Sequence, residues 1–228
     1  MQFPGDGLLS DPDAQSTMAV DIDASPSDVW PWLRQLGQDR GGFYSYEWAE
    51  NLVGLDIHNA DRIVAEWQDL SVEDAVRLGR ADRFPDAVLK VVAIDPERSL
   101  VLQTPDEPTW WLWSFVLNPV DETTTRLLVR SRIRLPENTV IRLAALSVLD
   151  PVSFVMTRRM LRGIQSRAER LAGDRSDPPQ PIQSPSLSGV DRSPAALRSR
   201  INPPQFHPAA GCASPPYQDN READPSSV

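Results

Sequence analysis

His58 is the residue in the first 200 whose type most directly invites chemistry, since it is one of only two histidines in the chain. It stands in DIHNAD, between Asp56 and Asp61. An imidazole titrates near neutrality, so His58 is a candidate general base. Asp56, His58 and Asp61 could also be read as metal ligands. A calcium loop of the EF-hand type needs Gly at its sixth position and Glu at its twelfth, where this chain has Asp61 and Trp67. A zinc or iron centre fails for want of partners: the second histidine is His207, and the lone cysteine is Cys212. No metal or other cofactor is therefore expected. The plainer role for the histidine is packing in a tight loop, with Asp56, Asn59 and Asp61 as turn residues. No GxSxG, phosphate-binding loop or dinucleotide fingerprint occurs.

The aromatic residues point elsewhere. All seven Trp precede residue 114, and RGGFYSYEW, residues 40–48, adds Phe43, Tyr44 and Tyr46. Most such rings build core, because each hides roughly 150–250 Å² of surface. A ring with a polar tip can also line a cavity and offer one hydrogen bond to an apolar guest. Tyr44, Tyr46, Trp67, Trp111 and Trp113 are of this kind, with Phe43 beside them. Met156 and Met160 supply adaptable packing. Gly41 and Gly42 allow a bend, so residues 40–48 are expected to form a Gly-hinged aromatic flap at a pocket mouth.

The elements that must position these residues are legible as periodicities. Residues 17–24 alternate apolar and polar, as a half-buried strand does. In SPSDVWPWLRQLG, Ser25 is the expected N-cap, Pro26 the first helical residue and Asp28 the third member of a capping-box-like start. Val29, Leu33 and Leu36 form its stripe and Gly37 its end, with Pro31 inside. A second helix is expected over 46–53 with Trp48, Leu52 and Leu55 on one side. Strands are expected over 72–78, 87–94 and 99–103. A long hairpin follows, pairing 110–118 with 125–135. Its second strand puts Leu127, Val129, Ser131, Ile133 and Leu135 on one face and Arg126, Arg130, Arg132 and Arg134 on a wet one. Its first strand is apolar on both sides, as when something covers each face. Asp150 and Pro151 open a final helix whose stripe is Phe154, Leu161, Ile164, Ala168 and Leu171, closed by Gly173. An α+β fold follows, with an antiparallel sheet burying one face against that helix.

Composition sets the outer limits. Of 228 residues, the last quarter holds half of the 22 prolines and almost no large apolar side chains. Residues 174–228 are expected to be a disordered Pro/Ser-rich tail, and residues 1–14 a flexible N-terminus. The intervening 15–173 make one domain. The net charge of −9 repels phosphate backbones, so nucleic acid is not an expected partner. No run of ~18 apolar residues is present to span a membrane, and no signal-like opening is seen. With one cysteine, internal disulfides are excluded and a cytoplasmic location is expected.

The segments ASPSDVWPWLRQLGQDRGGFYSYEW, LDIHNADRIVAEWQDL and FVMTRRMLRGIQSRAE together resemble the SRPBCC superfamily, and more narrowly its bacterial members of undefined activity. That superfamily takes in START domains, Bet v 1-like proteins and polyketide cyclase/dehydrase-like proteins. The resemblance spans about residues 15–172. It implies the helix-grip fold, a curved antiparallel sheet wrapped around a long C-terminal helix, with two short helices after the first strand. It also implies a cavity between sheet and helix for a hydrophobic small molecule. One departure is VEDAVRL, which stands where the family leads us to expect a Gly-Asp turn. The superfamily shares no single catalytic set, so no reaction is carried over. The expected function is that of a carrier or sensor of a hydrophobic, polyketide- or lipid-like molecule. The alternatives are a cofactor-independent cyclase or dehydratase using His58, and an interaction module recruiting a protein partner through the Pro-rich tail.

Overall fold

A computed structural model describes residues 2–105, 110–135 and 139–176, with only the helical backbone given for 139–150 and 176. Of the expected tail, residues 174–176 are helical, and the rest, Cys212 included, lies outside the described residues. The elements run β1 (Ala14–Ile22), α1 (Pro26–Arg34), α2 (Glu47–Leu52), β2 (Ala75–Arg77), β3 (Val88–Asp95), β4 (Ser99–Gln103), β5 (Trp110–Pro119), β6 (Thr125–Arg134) and α3 (Thr139–Ser176). The strands form one antiparallel sheet of six in the order β1-β6-β5-β4-β3-β2. A register shift between Val91 and Ala93 interrupts the β3–β4 ladder, the kind of irregularity that bends a sheet.

Along β5, Trp113, Phe115 and Leu117 point to the side where Met160, Leu161, Ile164 and Ala168 of α3 join them in one core. Register places Trp111 opposite Ile133, Trp113 opposite Ser131 and Phe115 opposite Val129. The other face of β5 is covered as well. Leu9 packs with Leu112 and Val101, and Ser114 Oγ donates to the Pro4 carbonyl at 2.9 Å.

That cover corrects two expectations. Residues 2–14 are not a free end: Phe3 and Leu9 are buried. Nor is the arginine face of β6 wet throughout, because Asp6 meets Arg130 at 2.8 Å and Arg132 at 3.0 Å. The physical reason is that half-covered strands of apolar residues need a second layer. The short N-terminal segment supplies it, bringing one carboxylate to two guanidinium groups. Arg126, paired with exposed Asp21, does face solvent.

Helix α1 stops at Arg34 rather than at Gly37. Its last four carbonyls all find donors without a glycine cap. Gln68 Nε2 reaches Pro31 O and the Tyr44 hydroxyl reaches Trp32 O. Leu36 N reaches Leu33 O, and Arg40 Nη1 reaches Arg34 O. At its start, Ser25 Oγ bonds Asp28 Oδ2 at 2.6 Å rather than a backbone amide. Asp28 also pairs with Arg175 at the far end of α3.

Helix α3 begins eleven residues before the expected Asp150–Pro151 start and runs past Gly173 to Ser176. Pro151 therefore sits inside the helix. Phe154, expected in the buried stripe, is exposed; close packing begins at Met160. Strand β2 is only three residues long. In the turn before it, Glu73 takes φ 75°, a left-handed conformation that glycine adopts without strain.

Candidate functional site

The segment between α1 and β2 builds one wall of a cavity. It is held to the rest of the molecule by amide side chains. Gln35, fully buried, donates to Arg62 O and accepts from Val64 N, both at 3.2 Å. Asn59 Oδ1 accepts the Tyr44 amide and Asn59 Nδ2 donates to Ser45 O. Asn51 brackets Ile57 through both its backbone N–H and its carbonyl.

These bonds make residues 40–48 a clamped loop instead of a hinged flap. A Cβ at Gly42, where φ is 73°, would meet Asn59 Oδ1 at 2.6 Å and His58 O at 2.7 Å, so the two loop strands touch backbone to backbone. Tyr44 points into the core, edge-on to Trp32 at 5.8 Å with the Arg167 guanidinium over its ring at 4.9 Å. Burial drives its hydroxyl pKa well above the usual phenol range.

The tethers also set the rotation of α2. Glu47 Oε1 accepts the Asn59 amide, and Asn51, one turn later, grips Ile57. Those two residues face the loop, so Trp48 and Leu52 turn outward and are 71% and 80% exposed. They share one side of the helix, and that side faces solvent. Glu50 takes the buried place at 6% exposure.

The cavity this creates measures about 500 Å³, within the roughly 300–1,000 Å³ of small-molecule sites. Trp111 and Trp113 of β5 form its sheet side, with Ile133 and Leu135 next to them. Phe43, Leu55, Ile57 and Leu78 form the loop side. Val152, Met156, Thr157 and Met160 of α3 close it. Val152 is half exposed, so the cavity reaches the surface there. The two indoles stack at 5.1 Å and 28°, and Phe43 lies 6.1 Å from the Trp113 ring. The Trp111 indole N–H is already committed to Ser131 Oγ at 2.8 Å. Ser45, also on the lining, spends its hydroxyl on Met156 O at 3.2 Å.

Of the residues singled out in the sequence, Phe43, Trp111, Trp113, Met156 and Met160 meet at the cavity. Tyr44, Tyr46 and Trp67 are not part of the lining. Tyr46 lies half-buried between Trp48 and Arg159, and Trp67 sits in a 3-10 turn over Ala65–Trp67. His58 is not brought to the lining either. Its ring is 75% exposed and bonds Asp56 Oδ1 at 3.2 Å. Among the described residues no group of three or more His, Cys, Asp or Glu is placed to hold a metal ion, and no helix is long and apolar enough to cross a membrane.

Glu50 is a cavity-lining side chain that sequence reasoning passed over. It lines the cavity, and its Oε2 is buried with no hydrogen-bond partner among the described residues. Burial, then the charge of Glu47, pushes its carboxyl pKa up to about 7. At neutral pH such a group can accept a proton or hydrogen bond and can donate one. The signal in the sequence was indirect: Glu47 and Asn51 are four apart, and once both are tethered Glu50 must turn inward.

No protein-family model matches the chain, and no curated protein does. Solved structures do resemble it. A hypothetical protein of Helicobacter pylori is 11% identical, covering 74% of this chain and 95% of its own, at a TM-score of 0.45. A protein from the dynemicin biosynthetic locus is 14% identical, covering 66% of this chain and 47% of its own, at 0.38. Norcoclaurine synthase of Thalictrum is 13% identical, covering 72% and 96%, at 0.39. Likenesses this distant carry no argument about activity, and the architecture rests on the chain's own topology. The fold is a helix grip. Its antiparallel sheet, two short helices after the first strand and long C-terminal helix are those elements in that order.

Proposed function

We propose that this helix-grip protein belongs with the SRPBCC proteins and binds a hydrophobic small molecule in the cavity between sheet and α3, as a carrier or sensor. The observation that carries the reading is the cavity itself: about 500 Å³, walled by Phe43, Trp111, Trp113 and Met160, with Glu50 the one ionisable group among the described residues of its lining. Aromatic and aliphatic walls gain free energy from any apolar surface they cover, roughly 25 cal/mol per Å², and a single polar group orients the guest. Native mass spectrometry of the full chain purified from cells tests it. The expected spectrum shows a retained small molecule, or added Nile red, in one-to-one complex. A protein that holds neither overturns the reading.

A second reading, a cofactor-independent cyclase or dehydratase, is favoured by one observation. A carboxyl titrating near neutrality inside an apolar cavity is suited to moving a proton. In that reading Glu50, and not solvent-facing His58, is the acid or base. Turnover would then be lost in Glu50→Gln and kept in His58→Ala. The third expectation, a module recruiting a partner through the Pro-rich tail, concerns residues outside those described.

A further inference from the structure

The cavity lining is unbalanced in charge. Glu50 brings a carboxyl that is nine-tenths buried, and Oε2 has no partner among the described residues. Four of the cations on neighbouring segments are committed elsewhere. Arg159 lies over the Tyr46 ring at 5.6 Å, Arg167 pairs with Asp61 at 2.7 Å and Arg80 pairs with Asp82 at 2.7 Å. Arg83 stands over Phe84 at 5.5 Å. The nearest charge acting on Glu50 is another carboxylate, Glu47. A buried ionised group ordinarily has a partner, and here none of the described residues gives Glu50 Oε2 one.

The aromatic part of the lining is compatible with a cation held at Glu50. Trp111 and Trp113 stack, and Phe43 tilts against them. Such ring faces attract positive charge, indole most strongly, and the attraction grows as water is excluded. The hydroxyl of Ser45 is engaged, and among the described residues no guanidinium or ammonium lines the space. An acidic guest such as a fatty acid would bring a second negative charge to Glu50 with nothing to offset either. We infer that the cavity selects an apolar molecule bearing a protonated amine, whose N–H groups dock on Glu50 while its hydrocarbon body lies against Trp111, Trp113 and Phe43. This rests on the proposed ligand cavity and names the chemical class of its guest.

The test is calorimetric titration of the full chain with three matched probes, naphthylethylamine, naphthylethanol and naphthylacetate, in wild type and Glu50→Gln. The amine should bind at least about tenfold more tightly than the alcohol, as a charge-assisted hydrogen bond in place of a neutral one implies. The acid should bind most weakly. In Glu50→Gln the amine should lose its advantage and fall to about the affinity of the alcohol. An alcohol as tight as the amine, or an acid tighter than both, overturns the inference and leaves the cavity reading standing. Failure of all three probes together with Nile red overturns the cavity reading itself. If Glu50→Gln does not fold, the ranking of the three probes on wild type decides the matter alone.

Discussion

Burial of the Glu50 carboxyl means that, between pH 4.5 and about 7, the folded chain holds a proton that the unfolded chain has released. The folded state binds more protons in that window, so its stability falls as pH rises through it. The contribution is fully present below pH 4.5 and is lost above about 7. Glu50→Gln removes the titrating group while keeping its shape. Relative to wild type the variant should gain stability at pH 8, on the order of 1–3 kcal/mol, and none at pH 4. Urea denaturation at the two pH values reads this difference directly. Residue types at the cavity were partly legible: Phe43, Trp111, Trp113 and the two methionines stand out as large and apolar. Glu50 was not, because a glutamate in EWAENL reads as a solvated helix position unless the tethering of Glu47 and Asn51 is known. His58 stood out through rarity alone, and its ring faces water.

Elements were most legible where periodicity is enforced by the sheet. β4 begins and ends where the alternation says it should, and the β5–β6 hairpin differs by a residue or so at its ends. Helix ends were harder. Asp150–Pro151 carries the local marks of a helix start, yet a proline is tolerated within α3 because only the bond to one preceding carbonyl is lost. The N-terminal segment was misread because its anchors are few and sparse: Phe3, Asp6 and Leu9 in a stretch rich in Gly, Pro and Asp. Those anchors should matter. Burial alone would raise the pKa of the Asp6 carboxyl, but the Phe3 amide together with Arg132 and Arg130 holds it below the usual range. Asp6→Ala leaves two largely buried guanidinium groups without their carboxylate. A loss of about 2–4 kcal/mol is expected from breaking such a pair, measurable as a lower denaturation midpoint. No change would mean that the segment does not cap the outer face of β5 and β6.

For the molecule as a whole, the order of strands and helices was enough to reach an α+β fold, and the family resemblance supplied the helix grip. An antiparallel sheet with one apolar face and a long final helix with a matching stripe have few ways to bury both. What such reasoning could not supply is where packing stops. Met160, Leu161, Ile164 and Ala168 fill the space under the sheet. One turn earlier Met156 and Val152 only border it, and the void between them, Trp113 and Leu78 depends on three-dimensional distances that no periodicity encodes. That void is also what separates a ligand-binding protein from a bare scaffold, since one fold serves many functions.

The most direct measurement of the central claim is a Nile red titration followed by dye fluorescence, run on wild type and on Leu78→Trp, which puts an indole into the cavity. Wild type should give a saturating one-to-one rise. The variant should melt within a few degrees of wild type and bind the dye at least about tenfold more weakly, the loss expected when a guest's apolar site is already occupied. Equal dye binding by the two proteins would contradict the account, because the dye would then be held somewhere other than the space between the sheet and α3.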